Sequence, residues 1–389
     1  MAVYLDHAAT SPMPDEVLAA YTDALRLVGN PSSIHGAGQA AREALETGRE
    51  AVARALGADP VEVVLTSGGT ESINLAVKGM FWVATASDRR RTRVIAPLGE
   101  HHATLDAVEW LARHEGARVD WVELDGEGRI RLDALAAALA TDPDEVAFVT
   151  ALWANNEVGT VQPVAELVAL AHAYGVPVHL DAVAAFGQVP VDLHAVGADA
   201  VSVSAHKVGG PVGVGALALA RTATVEPLLH GGDQQRGRSG TQDAAGAVAF
   251  GVAAARAVAE LPLARVEALR DRLVAGVLAA VDGAVLRGAP CGPGRLPGNA
   301  HFTFAGADGD ALLYLLDASG ISVSTGSACQ AGVPELSHVL LAMGLSEAEA
   351  RGALRITLGH DSTDADVDAF LAALPAAVAG ARAAASAGA

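Results

Sequence analysis

Short apolar runs bounded by turn residues alternate with longer alanine-rich stretches through the middle of this chain, and that alternation restricts its fold more than any other feature. Runs of a few residues fit buried strands and the longer stretches fit helices. A repeated strand, helix, strand order is satisfied by a largely parallel sheet with helices on both faces. Strands are predicted at 61–66, 93–96, 118–122, 146–152, 178–181, 200–204 and 215–220. A helical pattern covers 72–80, another lies around 244–260, and a second region with its own helices and strands begins near Leu263. At 389 residues the chain suits one large domain and a smaller one, with domains averaging about 150 residues. The expected division is 16–261 for the large domain and 1–15 with 262–389 for a smaller α/β domain.

Composition narrows the function. The chain is 51% hydrophobic but only 4% aromatic, so alanine, valine and leucine fill the interior. A formal net charge of -19 argues against direct nucleic-acid binding, and the lone basic run Arg89-Arg90-Arg91 sits in a short polar loop. No basic N-terminal segment leads into an apolar core and no uncharged apolar stretch is long enough for a bilayer, so a cytoplasmic location is expected. Two cysteines, Cys291 and Cys329, cannot build a disulfide framework, and no CxxC or His-x-x-x-His spacing offers a metal cage.

Most polar motifs fall just after predicted strand ends, where open α/β sheets bind ligands. Ser204-Ala205-His206-Lys207 runs into the glycine-rich stretch from Gly209 to Gly215. A lysine beside hydroxyl and imidazole donors, on backbone that can approach a ligand closely, suits an imine to a phosphorylated aldehyde cofactor such as pyridoxal phosphate. Taken alone, it equally fits a lysine in a flexible turn. Ser67-Gly68-Gly69-Thr70-Glu71 opens a helix and points free amides at an anion, although a glycine turn would serve structure just as well. Asp181 closes its strand where a carboxylate could keep a pyridine nitrogen protonated. In Glu100-His101-His102, a histidine could stack on a ring or shuttle protons, and Asn155-Asn156 adds amide donors. Cys329 lies in the small-residue segment 324–332, where a mobile, exposed thiolate is expected, while Cys291 in Cys291-Gly292-Pro293-Gly294 has no evident partner groups. Arg355, on an apolar strand, needs an anion: either a substrate carboxylate or an internal Asp or Glu.

Read together and in order, these residues resemble the cysteine desulfurase family, the class V aminotransferase group within fold-type I pyridoxal-phosphate enzymes. The resemblance runs from Tyr4-Leu5-Asp6-His7-Ala8-Ala9-Thr10 through 30–35, 66–74 and 204–207 to Leu354-Arg355-Ile356-Thr357-Leu358-Gly359. It implies a large domain with a mainly parallel seven-stranded sheet. It further implies that Lys207 holds pyridoxal phosphate, Asp181 pairs with the pyridine nitrogen and His101 stacks on the ring. Gly69, Thr70, Ser204 and His206 would bind the phosphate, and Thr241 would reach the neighbouring subunit's phosphate site in a homodimer. Arg355, Asn30 and Asn156 would bind L-cysteine, with Asn156 also near the cofactor. Cys329 would take the sulfur as a persulfide for an acceptor protein, and 329–340 resembles the group whose cysteine rides a long loop. Two departures stand out: Ala184 occupies the position where the family usually has glutamine, and the loop at Arg236-Gly237-Arg238 is one residue shorter. A carbon–sulfur lyase or transaminase on the same fold, or a non-catalytic subunit that binds a sulfur carrier, would differ chiefly in its need for Cys329.

Overall fold

The computed structural model describes residues 3–326 and 336–387, so Cys329 lies outside the described residues. In chain order its strands are β1 (Val3–Tyr4), β2 (Val63–Thr66), β3 (Arg93–Pro97), β4 (Arg118–Val122), β5 (Val146–Leu152), β6 (Val178–Asp181), β7 (Ala200–Ser204), β8 (Gly215–Leu219), β9 (Ala284–Arg287), β10 (Asn299–Phe304), β11 (Ile321–Ser322) and β12 (Ala353–Thr357). A sheet of seven is ordered β2-β8-β7-β6-β5-β3-β4. Its β8 runs antiparallel to β2 and β7, and the remaining pairs are parallel.

All seven predicted strands form. The first begins at Val63 rather than 61, because Pro60–Glu62 curl into a 3-10 turn in which the Glu62 carboxylate accepts the Asp59 amide at 2.8 Å. The helix predicted over 72–80 extends from Gly69 to Ser87. Its ends escape the apolar pattern because a glycine turn opens it and small polar residues close it.

Alternation along each strand sorts side chains to the two faces. In β2, Val63 and Leu65 join one core and Val64 the other. The first core takes Leu45, Val52, Leu167, Val168 and Phe250 from covering helices; the second takes Ile73, Val77, Phe81, Val108 and Leu111. Chain order reverses direction between β3 and β5: from β3 the chain steps outward to β4, and from β5 it steps the other way through β6 to β7. Such a switch opens a crevice beyond the strand ends.

A separate core unites Leu5 with Leu273, Phe302, Phe304, Leu354 and Phe370 around the sheet β12-β10-β9 and the pair β1-β11. The last helix, Asp364–Ser386, is long and apolar enough by length and composition to cross a membrane, but it carries Asp364, Asp366, Asp368 and Arg382 and so is not an uncharged stretch. Its Val367, Phe370, Leu374 and Val378 are nevertheless buried in this core.

The helices Gly36–Ala55 and Ala244–Ala259 touch backbone to backbone at Gly48, where an added Cβ would stand 2.3 Å from the Ala247 carbonyl oxygen. Gly48→Ala is therefore expected to force the two helices apart and cost about 1–3 kcal/mol, as other overpacked contacts do. A urea unfolding midpoint equal to that of the native chain would refute this contact.

Candidate active site

The crevice deepens into a cavity of about 440 Å³ lined by residues that follow β2, β3, β5, β6 and β7, together with Asp6, Arg355 and 323–326. Gly69, Thr70, His101, Asn156, Asp181, Ser204, His206, Lys207 and Arg355 all line it. Residues far apart in sequence meet here because parallel strands end on the same side of the sheet.

Lys207 sits in a 3-10 turn directly after β7, and its Nζ donates to the Ala9 carbonyl at 3.0 Å and also to the Ala8 carbonyl. Burial, and then the Arg355 charge, press its amine down to about 8, with Asp6 and Asp181 opposing. An appreciable neutral fraction therefore exists near neutral pH, which an amine nucleophile or base requires. Asp181, at the end of β6, is buried and accepts the Val183 amide at Oδ1 at 2.9 Å. Burial raises its carboxyl to about 6, against the pull of the Val183 amide and the Lys207 charge, so it is ionised at neutral pH.

His101 caps the helix His102–His114 by accepting the Ala103 amide at Nδ1, 3.0 Å away. With Nδ1 used as an acceptor, the neutral ring carries its proton on Nε2. Burial, and then the Lys207 charge, lower this imidazole to about 4. His206 is likewise lowered to about 4 by burial and Lys207, and its Nδ1 lies 3.3 Å from the Thr10 hydroxyl.

Both anions considered for Arg355 bear on the structure. The guanidinium donates to the Asp6 carboxylate and to the Asn156 carbonyl, each at 2.9 Å, so an internal ion pair exists. Among the described residues its buried Nε has no partner, and the side chain borders the cavity. Asp6 is thus a site residue with no local sequence signal of its role.

The turn that opens the helix Gly69–Ser87 needs its glycines. A Cβ on Gly69 would come within 2.8 Å of Val183, and Gly68 has φ 148°, a conformation that favours glycine. Ser204 and His206 line the cavity with Thr70. Two expected residues do not. Asn30 is exposed in a turn where its Oδ1 accepts the Ser32 amide at 2.9 Å, and Thr241 borders a different cavity of about 110 Å³ with Gln235 and Arg238. There Gln235 pairs with both backbone groups of Leu65 (3.0 and 2.7 Å), and Arg238 binds Glu71. Arg236 instead braces the carbonyls of Leu219 and Ala220. Cys291 does have a neighbour: partial burial, and then the Asp271 carboxylate, raise its thiol. Ala184 lies between the main cavity and a smaller one of about 40 Å³ that His7, Gln188 and Asn299 also line.

Residues 3–370 match the family model described as aminotransferase class-V. A cysteine desulfurase described as IscS-like, from Mycobacterium tuberculosis, is 54% identical over 99% of this chain and 98% of its own length. The chain belongs to the cysteine desulfurase family of class-V aminotransferases. A cysteine desulfurase of Cereibacter sphaeroides is 43% identical over 96% of this chain and 95% of its own. Among solved structures, a NifS-like protein matches with a TM-score of 0.88 and 36% identity, over 97% of this chain and all (100%) of that one. SspA, solved in complex with cysteine, matches with a TM-score of 0.77 and 32% identity, over 91% of this chain and 98% of that one. The fold is therefore the fold-type I architecture of this family.

The residues present fit the family's cofactor, pyridoxal phosphate. A buried amine of lowered basicity, a buried carboxylate, a ring-faced cavity wall and a glycine-opened helix start all border one cavity large enough for a small ligand.

Four rings are kept neutral by the fold. His101 and His206 fall to about 4 and His179 and His301 to about 3, burial being the main cause in each. In the unfolded chain a histidine titrates near 6.5, so between that pH and about 4 the unfolded state binds more protons. These four rings therefore contribute stability that is expected to rise with pH across this window and to be lost as pH falls through it, opposed there by the two raised carboxyls of Asp181 and Glu100. Equal urea midpoints at both ends of the window would contradict the neutral assignment.

Proposed function

We propose that this chain is a pyridoxal-phosphate-dependent cysteine desulfurase that converts L-cysteine to L-alanine and takes the sulfur as a persulfide on Cys329. The observation that carries the reading is the convergence of Lys207, Asp181, His101 and Arg355 on one cavity in a chain 54% identical to a relative described as a cysteine desulfurase. The net change is balanced: L-cysteine and the Cys329 thiol give L-alanine and the Cys329 persulfide.

When bound, pyridoxal phosphate supplies an electron sink for negative charge at the substrate's α-carbon. Lys207 would carry the cofactor and afterwards take the α-proton, a role its lowered basicity suits. Asp181 would hold the proton on the pyridine nitrogen. His101 would lie against the ring with its Nε2 proton available as a donor, while Gly69, Thr70, Ser204 and His206 would hold the phosphate. Arg355, oriented by Asp6, would bind the substrate carboxylate, with Asn156 beside it. The Cys329 thiolate would attack the substrate sulfur; the sulfur–sulfur bond forms as the carbon–sulfur bond breaks, and its electron pair stays with carbon. Asn30, outside its own chain's cavity, would also contact the substrate.

Several features of the reading concern assembly. Thr241, outside its own chain's cavity, would complete a second copy's phosphate site in a homodimer. The persulfide would pass to an acceptor protein in the cytoplasm. Residues 16–261 and 1–15 with 262–389 would form the two domains, a division supported by the burial of Leu5 with Phe302 and Phe370.

The test is alanine and persulfide formation from L-cysteine by the cofactor-loaded protein. Cys329→Ala is expected to lower alanine formation by at least about a hundredfold, as loss of a nucleophile does, with the bound cofactor's absorbance retained. Alanine formation that survives in Cys329→Ala would overturn the persulfide step, and sulfide release without alanine would point to a lyase. Arg355→Lys is expected to raise KM for L-cysteine about tenfold or more, since a charge-assisted hydrogen bond contributes about 1.5–3 kcal/mol. An unchanged KM would leave Arg355 as a purely structural partner of Asp6.

A further inference from the structure

We propose that Glu100 is a neutral carboxylic acid beside the cavity floor, a positioning residue that leaves Asp181 as the only ionised carboxyl at the adjoining strand ends. The inference rests on the functional reading only for what Asp181 does there.

Glu100 follows β3 and is 1% exposed. Its Oε1 accepts the Leu152 amide at 2.9 Å, and its Oε2 has no partner among the described residues. Among the described residues no lysine or arginine donates to this carboxyl. An ionised carboxylate stripped of water and left without a cation is costly enough that such groups take up a proton instead. Leu152 also pairs in register with Asp181 across β5 and β6, and adjacent strands lie about 4.8 Å apart. The two carboxyls thereby lie at strand ends on either side of β5, where like charges disfavour double ionisation. The two are not equivalent. Asp181 faces the cavity and feels the Lys207 charge, whereas Glu100 has only one amide. Burial chiefly, together with nearby Asp181, holds the Glu100 carboxyl well above the usual carboxylate range despite the Leu152 amide.

The other titratable groups around it come from the start of the helix at His102 and from His338–Ala342. His338 Nε2 meets the Glu100 backbone carbonyl at 2.9 Å, and the His102 and His338 rings are 5.0 Å apart. Neither these rings nor His101 bonds the carboxyl. Glu100 is thus pinned by its side chain to β5 and by its carbonyl to His338. That fixes the peptide leading into His101, the ring that faces Lys207.

The test is isotope-edited infrared spectroscopy of protein labelled at glutamate and aspartate carboxyls, with and without cofactor, near neutral pH. A protonated-carboxyl band is expected in the native protein, retained in Asp181→Asn and absent in Glu100→Gln. Absence of the band in the native protein, or its loss in Asp181→Asn, would overturn the assignment. Because the native spectrum suffices to refute it, a poorly folding variant does not shield the proposal. In the loaded protein, the pH midpoint of the cofactor's visible absorbance is expected to be the same in Glu100→Gln as in the native protein. A midpoint moved by about one pH unit, a tenfold change in proton affinity, would mean that a charge had been removed and would overturn the proposal. Failure to bind pyridoxal phosphate would instead sink the functional reading, since the infrared result without cofactor stands by itself.

Discussion

An amine and a carboxylate, Lys207 and Asp181, close neighbouring strands of one sheet and are buried together in one cavity. Each is pushed toward its neutral form by the loss of water, and each is pulled back by the other's charge. The remainder of the site is organised around that opposition. Backbone carbonyls of Ala8 and Ala9 accept hydrogen bonds from the lysine, the Val183 amide supports the aspartate, and Glu100 adds no second charge beside it.

The same balance explains why the two ends of the chain return to the centre. Asp6 and Arg355 are 349 positions apart, yet they pair within the cavity wall because both flank the smaller core. Arg355 lies on β12 opposite His301 of β10, and Asp6 bridges to Thr357. A cation that lowers the basicity of Lys207 is thereby delivered by elements outside the seven-stranded sheet. The site is composite: the large sheet supplies the amine, carboxylate and ring, and the smaller core supplies the guanidinium.

Legibility in the sequence followed the range of the interactions involved. Strand positions were readable because apolar runs and turn residues are local signals, and errors were confined to ends such as 61–62, where a proline turn replaces extended chain. Lys207, Asp181, His101 and Gly69 were readable because each follows a strand directly. Asp6 carried no local signal of its role, since only the fold brings Arg355 to it. Glu100 was read merely as the neighbour of His101; nothing in its local sequence announces that it is buried without a cation. Asn30 carries only its motif order as a signal, and the turn that exposes it is closed by its own side chain accepting the Ser32 amide.

By itself, then, the order of residues determined a parallel α/β sheet, the strand ends at which polar groups gather and the family whose motifs they follow. The first two rest on periodicity and spacing and the third on the resemblance of its motifs, all of which a linear chain displays. Only the tertiary structure decided which charges share the cavity, which nitrogen of His101 holds a proton, and which carboxyl stays neutral. Those outcomes depend on burial and on distances between residues remote in sequence, and neither exists until the sheet and the smaller core have packed together.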